Sequence, residues 1–223
     1  MNQTSRKIVF FIVVQVIFYN SLYLIFIPEL YSIFWYAIAL GLYYIISFVD
    51  TILRPLQDEE RDPEAGKYTI ILILLLLTNP LFLILAFMER KTLIEPYIPF
   101  WNQELITQLG IVFYVLAGII MLIGRIQLGR YATGKLSIQE NHELIEKGLY
   151  KFIRHPIYIG VIASGLFYLI IFNSIVTAVF YTVILFVLFN KRADYEEKIL
   201  QKKFGSEYEE YRKRTKRYIP YLY

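Results

Sequence analysis

At 223 residues, 57% hydrophobic and 17% aromatic, with a net charge of only +4, the chain is too apolar for an ordinary soluble domain. Its basic residues flank apolar runs, which sets aside a nucleic-acid footprint and points to anionic headgroups. The absence of cysteine excludes disulfides, thiolate nucleophiles and iron–sulfur ligation.

Apolar runs at 8–27, 31–49, 69–88 and 105–128 match the roughly 17–25 residues that a membrane helix needs. The first lacks a small-residue cleavage site and reads as a retained span; its Gln15, Asn20 and Ser21 are expected to bond to neighbouring helices. The acidic stretch 58–64 reads as a solvated connection and not as a metal site. Thr78-Asn79-Pro80 predicts a packing kink in the third span, because proline removes a backbone bond that Thr or Asn side chains can replace. Residues 89–104, with Pro96, Pro99 and Trp101, read as an interfacial connector.

The run 157–189 is too long for one span and holds Asn173-Ser174 near its middle, so it predicts a hairpin of two short spans. The expected fold is therefore all-α: a polytopic membrane protein of about six transmembrane helices, with a C-terminal helical hairpin and an amphipathic tail helix. Division into N-terminal membrane helices (1–104) and a C-terminal membrane domain (105–223) is expected. With six spans, 21 of the 23 lysines and arginines fall on one face, which the positive-inside rule assigns to the cytoplasm together with both termini.

Gly129-Arg130-Tyr131-Ala132-Thr133-Gly134-Lys135 has the spacing of a phosphate loop, but Leu136 stands where a magnesium-binding hydroxyl is needed and no strand precedes it. A nucleotide loop is rejected. In the tail, Lys198, Ile199, Leu200, Phe204, Tyr208 and Tyr211 recur at helical spacing among charges, which predicts the amphipathic helix, broken around Gly205.

Only two histidines occur, His142 and His155, both before the hairpin, and no third ligand is spaced for a metal. Arg154-His155-Pro156 can simply cap a helix and anchor it at the headgroups. It can equally form a carboxylate clamp, since a helix start carries free amides and positive potential. Glu196-Glu197 follows the last span, with Arg192 one helical turn earlier; the pair reads either as a solvated helix end or as partners for a ribose diol or amino group. If the hairpin closes, Arg154/His155 and Glu196/Glu197 meet at one membrane face.

These residues carry a resemblance. Leu128-Gly129-Arg130, then 142–150 (His-Glu-Leu-Ile-Glu-Lys-Gly-Leu-Tyr), then Arg154-His155-Pro156-Ile157-Tyr158-Ile159-Gly160 resemble the isoprenylcysteine carboxyl methyltransferase and phospholipid methyltransferase group. Glu196-Glu197-Lys198-Ile199-Leu200, Lys203-Phe204-Gly205, Tyr208, Tyr211 and Ile219-Pro220 continue the match. Leu149 departs from it, where many relatives have proline. The resemblance implies S-adenosylmethionine bound on the cytoplasmic side. His142, Arg154 and His155 would face its methionyl part, Gly148, Tyr150 and Tyr158 would shape the pocket, and Glu196 and Glu197 would contact the cofactor or hold its loop. Arg192 and Glu196 would serve the reacting groups, Arg192 by orienting an anionic acceptor.

Such chemistry suits the residue set. A carboxylate acceptor is already anionic and needs alignment and exclusion of water more than a base. An amine would need Glu196 or Glu197 to accept its proton. The implied acceptor is a lipid-like molecule entering sideways from the bilayer; membrane lipids are the only other partner implied, with neither nucleic acid nor an obligate protein partner. Two rivals stay open: a nicotinamide-dependent membrane reductase of the sterol type, whose C-terminal pattern resembles Arg217-Tyr218-Ile219-Pro220, and a non-enzymatic lipid-binding protein.

Overall fold

The computed structural model describes residues 3–54, 63–97, 103–132 and 143–219. Six long helices run through it: α1 (Thr4–Phe26), α2 (Phe34–Leu53), α3 (Pro63–Glu89), α4 (Gln103–Leu128), α5 (Pro156–Ile171) and α6 (Val176–Phe204), followed by the short α7 (Ser206–Arg214). The helices that contain α1, α2, α4 and α6 are long and apolar enough to cross a membrane. At 16 residues, α5 is a rod of about 24 Å, a short span. Among the described residues there is no β-sheet, only an isolated parallel bridge between Ile153 and Lys216.

The membrane reading is written on the surface of these rods. Leu109, Val112, Leu116, Ile120 and Ile123 lie exposed along α4, and Val176, Val179, Phe180, Val183 and Val187 along α6. Spacings of three and four residues make each set one continuous apolar stripe, which in water would be costly and in lipid is solvated by acyl chains. The opposite faces bury a tyrosine-rich core that includes Tyr19, Tyr23, Tyr114 and Tyr168.

Polar side chains act as the rivets between helices. In a π-helical stretch of α1, buried Gln15 accepts a hydrogen bond from Ser47 Oγ of α2 (2.5 Å). Asn20 Nδ2 donates to Tyr44 OH (2.7 Å). Ser21 does not follow the expectation: its hydroxyl donates to Ile17 O one turn back in its own helix (2.8 Å), an outlet always within reach of a helical serine. Asp50 of α2 and Arg125 of α4 form a buried ion pair, and Arg125 also donates to Ala132 O (3.1 Å), fixing the exit from α4. Helix α3 continues through buried Pro80, and Asn79 beside it donates to Tyr181 of α6 (3.4 Å).

Helices α4 and α5 approach closely at a glycine. A Cβ on Gly160 would lie 2.7 Å from the Met121 backbone nitrogen, so any side chain there would push the two helices apart. The hairpin turn lies at Asn173, whose φ of 59° asparagine tolerates better than most residues. Its amide donates to Thr107 Oγ1 (2.9 Å), which in turn donates to Ile171 O (2.8 Å). Glu89 at the end of α3 then caps α6: its carboxylate accepts from the amides of Ile175, Val176 and Thr177 at 2.7–2.9 Å and from the Ser174 hydroxyl at 2.5 Å. An anion at a helix start meets free amides and the positive dipole end together.

One boundary differs from expectation. Residues 198–204 are not part of a separate tail helix but the continuation of α6, which does not break until Gly205 with its φ of 54°. Nothing between Asn190 and Phe204 stops a helix, so α6 crosses from lipid into the polar layer unbroken. Only α7 is the separate amphipathic piece, with Tyr208 and Tyr211 buried beneath it.

Candidate active site

The site is built where α5 begins and α6 leaves its apolar stretch. Gly148 opens the approach with a φ of 63°, and a Cβ there would collide with the Gln127 side chain at 2.2–2.5 Å. Gln127 Oε1 is in use, because it accepts from the Leu149 amide (2.8 Å). Proline at 149 would lack that donor, which gives a physical reason for leucine at this position. The next residue, Tyr150, is buried, its hydroxyl donating to Gly124 O (3.3 Å) and its carbonyl accepting from Tyr211 OH (2.8 Å). Burial first, and the Glu196 charge second, push the Tyr150 phenol well above its ordinary pKa and keep it protonated.

Pro156 starts α5, leaving Arg154 and His155 just ahead of it. Glu197 of α6, with a side chain only 8% exposed, is the hub. Its Oε1 accepts from Arg154 Nε (3.0 Å), His155 Nε2 (3.1 Å) and Arg217 Nε (3.1 Å), and its Oε2 from Arg217 Nη2 (2.9 Å). A carboxylate only accepts, so the His155 Nε2 facing it carries the proton. Glu196, at 28%, is the more open of the two acids. It accepts from Tyr158 OH (2.6 Å) and lies 3.6 Å from His155 Nδ1. Tyr158 OH accepts in turn from Arg192 Nε (2.8 Å), and its ring stacks on His155 at 5.1 Å.

The tail closes this cluster. Residues 215–218 run alongside 152–155, with Lys216 N donating to Phe152 O (3.0 Å) and Arg154 N to Lys216 O (2.8 Å). Arg154 Nη1 donates to Thr215 O (2.7 Å). Arg217 Nη1 reaches Asp194 (2.6 Å) and Asn190 (3.0 Å), and Tyr218 OH also donates to Asn190 (3.2 Å). Partial burial works against the Arg217 charge, but Glu197 and Asp194 outweigh it and hold its pKa above the ordinary arginine value.

The structure thus brings Arg154, His155, Tyr158, Arg192, Glu196 and Glu197 into one network, with Gly148 and Tyr150 forming the turn that leads into it. His142 lies outside the described residues. Asn190, Asp194, Thr215 and Arg217 were not anticipated as site residues. Among the described residues no cluster of acids and histidine is arranged to hold a metal ion.

Known proteins resemble this chain. Residues 108–202 match the isoprenylcysteine carboxyl methyltransferase family. By this match the chain is similar to that family of membrane methyltransferases. A probable protein-S-isoprenylcysteine O-methyltransferase of Oryza sativa subsp. indica is 26% identical over 164 residues, spanning 70% of this chain and 84% of the relative. The protein-S-isoprenylcysteine O-methyltransferase B of Arabidopsis thaliana is 29% identical over 119 residues, 52% of this chain and 60% of the relative. The solved structure of a eukaryotic intramembrane Ras methyltransferase shares the fold, with a TM-score of 0.61 and 19% identity over 97% of this chain and 75% of that one. Likeness to these named O-methyltransferases places the chain among the S-adenosylmethionine-dependent methyltransferase enzymes. The family match spans Arg154, His155 and both glutamates but ends before the tail that packs on them.

Proposed function

We propose that this membrane methyltransferase moves the methyl group of S-adenosylmethionine to the carboxylate of a prenylcysteine-like or other isoprenoid lipid acceptor at the cytoplasmic membrane face. The observation that carries the reading is the juxtaposition, beside exposed apolar helix faces, of a cationic helix start and an acidic helix end. The donor set fits the cofactor: a zwitterionic methionyl end calls for both cations and carboxylates, and a ribose diol calls for acceptors. His142, Gly148, Tyr150, Arg154, His155, Tyr158 and Glu197 would hold it. When bound, S-adenosylmethionine supplies an electrophilic methyl on a sulfonium. The chain's own part is to align and to exclude water, since a carboxylate acceptor needs no proton removed. Glu197 and the three donors on it keep the α5 start against α6. Glu196, the more open acid, stands at the accessible edge, and the buried Arg192 linked to it through Tyr158 would orient an anionic head. The names of the plant relatives support a prenylcysteine carboxylate.

S-adenosylhomocysteine is expected to raise the thermal midpoint of the purified protein, because a ligand at a hundredfold excess over its Kd stabilises by about 2.7 kcal/mol. NADPH should give no shift; the reverse pattern would favour a reductase, and silence from both a non-enzymatic lipid binder. Sidedness rests on the 21-of-23 cation asymmetry. In the cysteine-free background, Ile175→Cys at the hairpin turn and Glu207→Cys on α7, both exposed, should label from opposite sides of the membrane. Labelling from one side would refute the hairpin crossing.

A further inference from the structure

We infer that Arg217 is a positioning residue for methyl transfer, acting through Glu197 on the ring of His155; this rests on the proposed cofactor reading. Residue 217 grips both halves of the site at once. Its carbonyl accepts from the His155 amide (3.1 Å), holding the residue that precedes α5. Its guanidinium takes both oxygens of Glu197 on α6, Nε to Oε1 at 3.1 Å and Nη2 to Oε2 at 2.9 Å. Such a fork fixes the plane of a carboxylate and not merely its position.

The consequence passes to His155. Three donors converge on Glu197 Oε1, and among the described residues Oε2 has Arg217 alone. Without the fork, no described residue holds Oε2, the carboxylate is free to turn, and Nε2 of a ring only 5% exposed loses its fixed acceptor. Nδ1, 3.6 Å from Glu196 Oε2, then competes for the proton. The second anchor of Arg217, on Asp194 and Asn190, keeps the guanidinium from following Glu197. A tail residue thereby sets which nitrogen of His155 points inward and where.

The test uses full-length protein in lipid nanodiscs, with Arg217→Gln and Arg217→Lys, each assayed below its own melting temperature. Neither change touches the backbone bond to His155. With His142→Gln as background, His155 is the only histidine, and its imidazole nitrogens are read by 15N NMR. Wild type should show one tautomer, protonated on Nε2; Arg217→Gln should show a mixture. S-adenosylhomocysteine affinity should fall about ten- to hundredfold for Arg217→Gln, the range for losing a charge-assisted hydrogen bond. Arg217→Lys should lose less, since it keeps the charge without the fork. In a Glu197→Gln background the Arg217→Gln loss should shrink to about threefold or less, because coupled sites are not additive. An unaltered ring, an altered ring with unaltered affinity, or additive losses each overturn the inference. If wild type itself binds no S-adenosylhomocysteine, the cofactor reading fails and the His155 spectrum alone decides the positioning role. Should Arg217→Gln not fold, Arg217→Lys carries the same comparison.

Discussion

Glu197→Ala is expected to be the most damaging single change in the C-terminal half. The side chain is 8% exposed and accepts from Arg154, His155 and Arg217, so removing it leaves two guanidinium groups and an imidazole facing one another without an anion. Breaking a buried pair from one side typically costs about 3–5 kcal/mol, most of it the uncompensated charge left behind. The loss should appear as a lower thermal midpoint together with loss of S-adenosylhomocysteine binding. Glu196→Ala is the internal control: at 28% exposure, with Tyr158 OH as its close donor, it should cost about 1 kcal/mol or less in stability. Equal, small effects of the two changes on the midpoint would refute the hub role of Glu197.

The hub itself was legible; its full set of partners was not. Pro156 and the polar Asn173-Ser174 pair mark the two ends of α5 because each has a local physical effect, a fixed φ in one case and a left-handed turn in the other. Once the hairpin closes, Arg154/His155 and Glu196/Glu197 must lie at the same end, and they do. Arg217 carries no such mark. It is one of ten cations after residue 189, and only the folded path of 215–218 distinguishes it from Arg212 or Lys213. Asp50 and Arg125 carry no such mark either, though they pair across 75 positions. Glu89 read as part of a connector, since its ligands are amides at the start of α6 that exist only after the helix forms. The run of α6 past residue 198 was hidden for the opposite reason: the end of an apolar run looks like the end of a helix, although lipid burial and helix propagation stop for different causes.

Arg192→Ala is expected to reduce methyl transfer by about a hundredfold or more while leaving S-adenosylhomocysteine affinity within a few-fold, about 1 kcal/mol or less. Spacing alone suggested a direct pair between Arg192 and Glu196 one turn apart. The structure interposes the Tyr158 hydroxyl, which accepts from Arg192 Nε at 2.8 Å and donates to Glu196 Oε2 at 2.6 Å. Glu196 therefore does not depend on Arg192 for direct neutralisation, and removing the guanidinium should leave the acid with its phenol donor. What disappears is a planar cation, 4% exposed, where the apolar face of α6 meets the polar layer. An anionic head arriving from lipid would be held there with its tail still among the helices. Arg192→Lys should recover part of the rate, because it restores charge but not the fork. Tyr158→Phe separates the remaining alternative, since it removes the hydroxyl link and keeps the guanidinium. If Arg192 acts on the acceptor, Tyr158→Phe should retain much more activity than Arg192→Ala. Should Arg192 serve only to orient Tyr158 and Glu196 toward the cofactor, the two variants should lose activity and S-adenosylhomocysteine affinity together, and that parallel loss would return Arg192 to the cofactor side of the site.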